Sequence, residues 1–504
     1  MKNGKVYLVG AGIGEADNIT VKAKKILETA DVVVHDRLLN RELLNGLPSH
    51  VELIDVGKSS SEHLMKQEDI NDLLVQKARK GLRVVRLKGG DPYVFGRGGE
   101  EGEVLYSEGV DFEVVPGITS GIAGLCYAGI PITHRDFASS LHLITGHRRD
   151  GGQEIDYATL SVLEGTLVFY MGLKNLGSIT RGLLDAGKPG RTPVAVISQA
   201  GYPRQCTVCG SLETIEELAG KEEGLVSPSL IVVGEVISLR DKLNFFERRP
   251  LFGKKIVVTR AREQISGLAT SLKELGAEVI ELPSIKIVPK NLKELSEEVS
   301  RIEDYTHLIF TSKNGVDIFM EALLKEKDAR SLFGLKICAI GSGTEAALLE
   351  YGLRADILPG TYVAESLFEK LKGHLDDGSR VLLPRAEMAR DYLRKNLETL
   401  CSVNEIHIYD TLMEEPHQLI VEKLMKDVPD YITFTSSSTV RNTVSILEDK
   451  ADLLLKDGIL KIISIGPITS STVEEYGYKV HAQAWQHDIK TLVEVLIEQE
   501  EKNK

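Results

Sequence analysis

Val84-Val-Arg-Leu-Lys-Gly-Gly-Asp-Pro-Tyr-Val-Phe-Gly-Arg-Gly-Gly-Glu-Glu101 is the most informative stretch of the chain. A strand-like run ends at Leu87, and Gly89 and Gly90 then expose backbone at its carboxyl end. Asp91 and Pro92 set a turn, and Gly96, Gly98 and Gly99 shape a second loop around Arg97. Five glycines within eleven residues are costly in conformational entropy, which marks a loop shaped around a ligand. Upstream, Val6-Tyr-Leu-Val-Gly10-Ala-Gly12-Ile-Gly14 is again a strand, a glycine turn and a helix start. With Asp36 at the end of the next strand it invites a dinucleotide fingerprint. That pattern requires glycine where this chain has Glu15, so the turn alone selects no particular nucleotide.

Working outward, residues 19–30 have helical apolar spacing and residues 31–35 read as a strand, and the alternation continues almost throughout. It implies an α/β fold with mainly parallel sheets. The chain has 504 residues, room for three or four domains at roughly 100–200 residues each. The sharpest break in composition is the basic and aromatic stretch 239–255, with Pro250 and Gly253 before a fresh strand. The expected division is a first domain over 1–243, a linker over 244–254 and a second domain over 255–500.

A net charge of −13 argues against general nucleic-acid binding, which needs basic surface. It leaves room for an anionic small substrate held by a local arginine cluster. No apolar run approaches the roughly 18 residues of a membrane helix, and the first residues lack the apolar stretch of a signal peptide. Five cysteines are too few for a disulfide framework and point to a reducing cytoplasm. Cys206-Thr-Val-Cys209 has redox-pair spacing, but no second pair or histidine set completes a metal site, and no metal is expected. His147-Arg148-Arg149 reads as an exposed basic loop, with a lesser role in drawing in a polyanion.

The second half repeats itself. Arg260 and Arg385, Thr311 and Thr435, and Gly341 and Gly466 close similar strands at offsets of 125, 124 and 125 residues. Duplication of a β-α unit follows, and with it two similar lobes facing a cleft, a common ligand site. Hydroxyl-rich runs 311–314 and 435–439 precede helices. They suit helix capping first and carboxylate-bearing ligands second.

The run RLKGGDPYVFGRGGEE resembles the signature of the tetrapyrrole methylases, specifically the uroporphyrinogen-III C-methyltransferases. GAGIG, VVVHDRL at 32–38, VGK at 56–58, VVPGITS at 114–120, AGIPITHR at 128–135, TLVFYMGL at 166–173 and PSLIVVGEVISLR at 228–240 extend the likeness in order. The resemblance implies a two-lobed fold that binds S-adenosyl-L-methionine, releases S-adenosyl-L-homocysteine, and methylates two ring carbons of uroporphyrinogen III to give precorrin-2. Alignment of sulfonium and ring carbon supplies acceleration, and a base removes a proton afterwards. By position, Ile13, Gly89, Gly90, Asp91, Val94, Thr119, Ser120, Met171 and Ala200 are the expected cofactor contacts. Asp36, Lys58, Arg97, Glu100 and Arg135 match positions assigned to catalysis or substrate handling. Either Asp36 or Glu100 can be the base, and Arg97 and Arg135 can grip carboxylates with forked guanidinium contacts. Two departures stand out: Ile13 and Glu15 replace the usual Pro and Asp of the first turn, and Ala200 stands where a glycine is usual.

The second half resembles uroporphyrinogen-III synthase through VVTRAR at 257–262, FTSKNGV at 310–316, AIGSGTEAAL at 339–348, VLLPRAE at 381–387, IYDT at 408–411 and FTSSSTV at 434–440. That family has a pair of similar α/β lobes joined by two connector strands, for which residues 285–289 and 406–411 are the candidates. The implied reaction is cyclisation of hydroxymethylbilane with inversion of the last ring, without a cofactor. Tyr409 is the candidate proton donor, and packing on the cleft wall is its equally weighted structural role. The expectation is a bifunctional cytoplasmic enzyme of sirohaem or cobalamin synthesis, a homodimer through its methyltransferase half, with no nucleic-acid or membrane partner. The alternatives are a nicotinamide-dependent dehydrogenase, which leaves the RLKGGDP and GRGGEE loops unexplained, a methylase of another tetrapyrrole, and a non-catalytic tetrapyrrole-binding second half.

Overall fold

The computed structural model describes residues 4–503 except 38, 49, 58–64, 147–154, 260–261, 362, 388–390, 415–417 and 457. The chain forms two compact units, Met1–Gly253 and Lys254–Lys504. Among the described residues no helix is long and apolar enough to cross a membrane.

The first unit opens with β1 (Lys5–Gly10), β2 (Val32–His35), β3 (Glu52–Asp55), β4 (Arg83–Lys88) and β5 (Asp111–Val115). They form a parallel sheet in the order β3-β2-β4-β1-β5. Its central strands carry continuous apolar runs because both faces are covered. Helix Val21–Leu27 packs on one face, through Ile26 and Leu27 against Val9, Val33, Val85 and Leu87. Helices Gln67–Arg79 and Gly98–Ser107 cover the other, through Ile70, Leu74 and Leu105 against Val6, Leu8, Val32, Val34 and Val84. The chain leaves neighbouring strands β1 and β4 in opposite directions across the sheet, toward β2 and β5. That makes their carboxyl ends the switch point where open α/β sheets bind ligands.

Three turns meet there without side chains between them. A Cβ on Gly10 would stand 2.6 Å from Gly117 Cα, and one on Gly117 would stand 2.2 Å from the Gly90 carbonyl oxygen. The glycines at the end of β1 and after β5 are therefore consumed by chain-to-chain packing rather than by a ligand.

The second sheet consists of β6 (Leu141–Thr145), β7 (Thr166–Tyr170), β8 (Pro193–Ser198), β9 (Cys206–Ser211) and β10 (Ser229–Val233). Its order is β6-β7-β10-β8-β9, with only β6 and β7 parallel. Helix Ser120–Tyr127 starts beyond the end of β5 and covers this second sheet, placing Leu125 with Val168, Ala195, Ile197 and Val232. Tyr170, at the end of β7, meets the start of that helix. Its hydroxyl lies 2.8 Å from Thr119 Oγ1 and accepts the Gly121 N–H at 2.6 Å. Its ring also rests 4.8 Å from Phe95 in the glycine-rich loop.

The stretch expected as a linker belongs mainly to the first unit. Phe246 and Leu251 are fully buried, and Phe246 packs against Ala123 and Tyr127. The Glu247 carboxylate accepts from Gln205 Nε2 at 2.7 Å and Thr207 Oγ1 at 2.8 Å and pairs with Arg240. Phe246 in this basic stretch is a core residue while its neighbour Phe245 is exposed, which is why composition alone misplaces the boundary.

The second unit holds β11 (Lys255–Val258), β12 (Glu278–Glu281), β13 (Ile285–Pro289), β14 (His307–Phe310), β15 (Lys336–Ala339), β16 (Arg380–Ala386), β17 (Ser402–Met413), β18 (Tyr431–Phe434), β19 (Lys461–Ser464) and β20 (Val480–Gln483). The sheets are β12-β11-β18-β19-β20 and β13-β17-β16-β14-β15. The sequence repeat is visible as β12-β11-β18-β19 against β17-β16-β14-β15, strand for strand. The repeats are not one lobe each, however. The first repeat supplies β11 and β12 to one sheet and β14 and β15 to the other, and the second repeat does the converse. The two connector segments pair with each other: β13 runs antiparallel to the end of β17, from Ile285 opposite Met413 to Pro289 opposite Tyr409.

Two substitutions and one control, Gly99→Ala, check this account of the first unit. Gly117→Ala is expected to cost about 1–3 kcal/mol by overpacking, whereas Gly99→Ala, with no atom within 4 Å of the new Cβ, leaves the melting midpoint near that of the parent. Tyr170→Phe strands the Gly121 N–H and is expected to cost about 1–3 kcal/mol. Thermal unfolding followed by circular dichroism reads both.

Candidate functional site

At the switch point of the first unit the two glycine turns are zipped together. The Gly90 N–H donates to the Gly12 carbonyl at 2.8 Å and the Gly12 N–H to the Gly90 carbonyl at 3.1 Å. Gly90 differs from Gly10 and Gly117: it has a φ of +71°, and the nearest atom to a Cβ there is Thr119 Cα at 3.6 Å. A Cβ at Gly90 would meet only ordinary van der Waals contacts, but the backbone conformation disfavours a side chain there.

Around that turn the expected cofactor contacts are placed as follows. Gly89 directly follows β4 and is half-buried. Asp91 holds two turns, accepting from the Tyr93 N–H at 2.8 Å and the Gly117 N–H at 3.0 Å. Val94 is half-buried against the core of the second sheet. Thr119 is buried on Tyr170, and Ser120 is the first residue of its helix. Met171 is exposed with a φ of +57°. Ile13 packs with Ala123, Tyr127 and Phe246, and its carbonyl accepts from Asn18 Nδ2 at 2.8 Å. Ala200 lies close to Gly124, whose added Cβ would stand 3.0 Å from the alanine methyl; the helix packs directly on this residue.

The polar residues separate into a buried set and an exposed set. Asp36 sits at the end of β2, its N–H donating to the Leu87 carbonyl at 3.2 Å, so it shares a strand end with the Gly90 turn. Arg86 Nη2 donates to Asp36 Oδ1 at 2.5 Å and Arg86 Nε to Glu101 Oε1 at 3.1 Å. Lys88 Nζ donates to the same Glu101 oxygen at 2.8 Å, and Gln67 Nε2 at 3.2 Å. The Arg86, Lys88 and Glu101 side chains are only 3%, 4% and 0% exposed, against 32% for Asp36. Burial pushes the Lys88 ammonium below its usual range, Arg86 adds to that effect, and Glu101 opposes it. Removing one member of a buried ion pair typically costs roughly 3–5 kcal/mol, so this cluster is held as a unit.

Arg97 and Glu100 pair with each other instead, Nε to Oε1 at 3.0 Å and Nη2 to Oε2 at 2.5 Å, each about half exposed. Arg97 caps its helix with a φ of +59°, and its pairing with Glu100 holds the guanidinium above its usual range. Arg135 is exposed in the turn closed by the His134–Ala138 bridge. Lys58 and the loop from His147 to Gly152 lie outside the described residues. Sequence reasoning overlooked Arg86, Lys88, Glu101 and Tyr170. The signal for the first two was present: charges at alternate positions of an otherwise apolar central strand must share one buried face.

In the second unit, Tyr409 is 5% exposed, and its hydroxyl lies 2.8 Å from Ser312 Oγ, with Asn314 also in reach. Burial pushes the phenol above its usual range, and the bonds from Ser312 and Asn314 oppose this. Ser312 in turn caps helix Lys313–Glu326, accepting the Gly315 N–H at 3.0 Å. A register shift places Arg385 opposite His407 but Ala386 opposite Tyr409, leaving Ile408 as an extra residue in β17. The bulge brings Ile406, Ile408 and Tyr409 into one apolar cluster, as bulges near sites re-aim side chains. The second hydroxyl run also caps a helix, through Ser436 Oγ and the Thr439 N–H at 3.3 Å. Cys206 and Cys209 stand three residues apart on β9, on opposite faces of the sheet.

Comparison with known proteins assigns both units. Residues 5–216 match the family model of tetrapyrrole (corrin/porphyrin) methylases, and residues 266–494 match that of uroporphyrinogen-III synthase HemD. Porphyrin biosynthesis protein HemD of Ruminiclostridium josui is 40% identical over 99% of this chain and 98% of its own length. A uroporphyrinogen-III C-methyltransferase of Bacillus subtilis (strain 168) is 49% identical over 48% of this chain and 95% of its own. A crystal structure of uroporphyrin-III C-methyl transferase from Thermus thermophilus, complexed with S-adenyl homocysteine, is 41% identical over 47% of this chain and 100% of its own, with a TM-score of 0.41. The chain therefore belongs to the porphyrin-biosynthesis family in which a tetrapyrrole methylase domain is fused to a uroporphyrinogen-III synthase domain.

Proposed function

We propose that the second unit cyclises hydroxymethylbilane to uroporphyrinogen III and that the first unit methylates this product twice, giving precorrin-2. The observation that carries the reading of the first unit is the shared strand end: the Gly90 turn and Asp36 flank the same carboxyl edge of β4. S-adenosylmethionine seated at Gly90 supplies an activated methyl group. The chain's residues do the remainder. The paired Gly12 and Gly90 turns form the floor of the strand end, and Thr119, Val94 and Met171 line the approach. Asp36 takes the proton released once a ring carbon is methylated. Of the two carboxylates that suit this role, Asp36 is favoured because Glu100 is engaged bidentately by Arg97 on the surface. Arg97 and Arg135, both exposed, are suited to the carboxylates of an incoming ring.

In the second unit Tyr409 donates a proton to the departing hydroxyl. The fixed place of its hydroxyl, 2.8 Å from Ser312 Oγ, supports this role, and a phenol carries its proton throughout the neutral range. The hydroxyls and helix starts at Ser312 and Ser436 offer neutral donors to substrate carboxylates.

Full-length protein incubated with hydroxymethylbilane and methyl-labelled S-adenosylmethionine is expected to yield doubly labelled precorrin-2; isomer I products or unlabelled uroporphyrinogen overturn one half of the reading or the other. Tyr409→Phe is expected to lower cyclisation about 100-fold, within the usual range for a lost acid, while methylation of supplied uroporphyrinogen III continues. For the parent, the alkaline limb of the cyclisation profile should lie above the ordinary phenol range. Gly90→Val is expected to weaken S-adenosylhomocysteine binding, measured by calorimetry, at least about tenfold, because a side chain then occupies the strand end.

A further inference from the structure

The Arg86 guanidinium has every edge engaged. Nε meets Glu101, Nη1 meets the Val34 and Leu87 carbonyls at 3.4 Å each, and Nη2 meets Asp36. A planar fork held on all sides cannot rotate without breaking several bonds at once. Glu101 is the one fully buried carboxylate of this cluster. Its Oε1 takes three donors, from Arg86, Lys88 and Gln67, while Oε2 has no hydrogen-bond partner among the described residues. Such an arrangement is expensive for stability alone, because a buried charge with one oxygen unsatisfied is less favourable than an apolar replacement of the same shape.

We propose that Glu101 is a positioning residue for methyl transfer: by balancing Arg86 and Lys88 it locks the guanidinium that orients the Asp36 carboxylate at the strand end. This rests on the reading of Asp36 as the proton acceptor. The charged groups that bear on Asp36 are Arg86 and Lys88 from β4 and Glu101 from the helix behind it; on its own segment His35 Nδ1 meets the Asp36 carbonyl at 3.1 Å, and Arg37 is its neighbour in sequence. Two cations and two carboxylates make the cluster neutral. Loss of Glu101 leaves an excess positive charge that opposes protonation at the site, and loss of Lys88 leaves an excess negative charge that favours it. The two losses therefore act in opposite directions, which no purely packing role imposes.

The test uses full-length Glu101→Gln, Lys88→Met and Asp36→Asn, assayed for methylation of supplied uroporphyrinogen III across pH. S-adenosylhomocysteine affinity and cyclisation by the second unit serve as controls for folding. Glu101→Gln is expected to lower kcat at least about tenfold with KM within about twofold of the parent, and to move the acid limb of kcat/KM to lower pH. Lys88→Met is expected to move that limb to higher pH. Limbs that stay in place or move together, with Asp36→Asn inactive, overturn the positioning role of Glu101 and leave the reading of Asp36 standing. Retained methylation by Asp36→Asn overturns the reading of Asp36 and the positioning role together. If Glu101→Gln fails the binding control, Lys88→Met decides: an acid limb that does not rise overturns the proposal.

Discussion

The first unit depends on one steric constraint, the backbone-to-backbone contact of Gly10, Gly90 and Gly117. Neighbouring strands in a sheet are about 4.8 Å apart, and the turns that leave β1, β4 and β5 come closer than any side chain allows. With those turns touching, the Asp91 carboxylate reaches the Gly117 N–H. The following helix then starts where Tyr170 of the second sheet can bind its first turn. The turn at Gly90 and the docking of one sheet on the other thus have the same origin. A methyl group at Gly117 disturbs both.

Much of this was legible in the sequence because glycine and alternation are strong local signals. The strand end, expected at Leu87 and found at Lys88, the paired glycine turns and the α/β layering all follow from them. What the glycines are for was not legible. A glycine that admits a ligand and a glycine that admits another backbone look alike in a sequence, and Gly10 and Gly117 are of the second kind while Gly90 has space. Glu101 shows the same limit for charge. Two adjacent glutamates in GRGGEE differ by one helical position, and that places Glu100 on the surface with Arg97 and Glu101 fully buried on Arg86 and Lys88.

The second unit illustrates how a correct pattern supports an incomplete inference. The offsets of about 125 residues do reflect equivalent strands, but each repeat is divided between both sheets. Periodicity reports which segments are alike and carries no information about which ones pair. The chain must cross twice between the sheets to achieve this, and the crossings, β13 and the end of β17, stabilise each other as an antiparallel pair. The bulge at Ile408 is a consequence. β17 begins as a parallel partner of β16 and ends as an antiparallel partner of β13, and one residue without a partner on β16 absorbs the change. Tyr409 owes its place beside Ser312 to that residue, which no motif in IYDT announces.

The proposed chemistries make opposite demands on a proton, and the two environments differ accordingly. Methylation needs an acceptor, and the candidate is a carboxylate held by a cation that is itself held by a second, buried carboxylate. Cyclisation needs a donor, and the candidate is a phenol set among apolar side chains with the Ser312 hydroxyl and Asn314 as its neutral polar partners. A buried charge cluster around Tyr409 would favour the phenolate or fix the proton elsewhere, and an apolar pocket around Asp36 would leave its carboxylate without the orientation that Arg86 provides. Each site therefore uses the dielectric setting that suits its own proton. The cost of burying Glu101 falls only on the unit whose reaction needs a base.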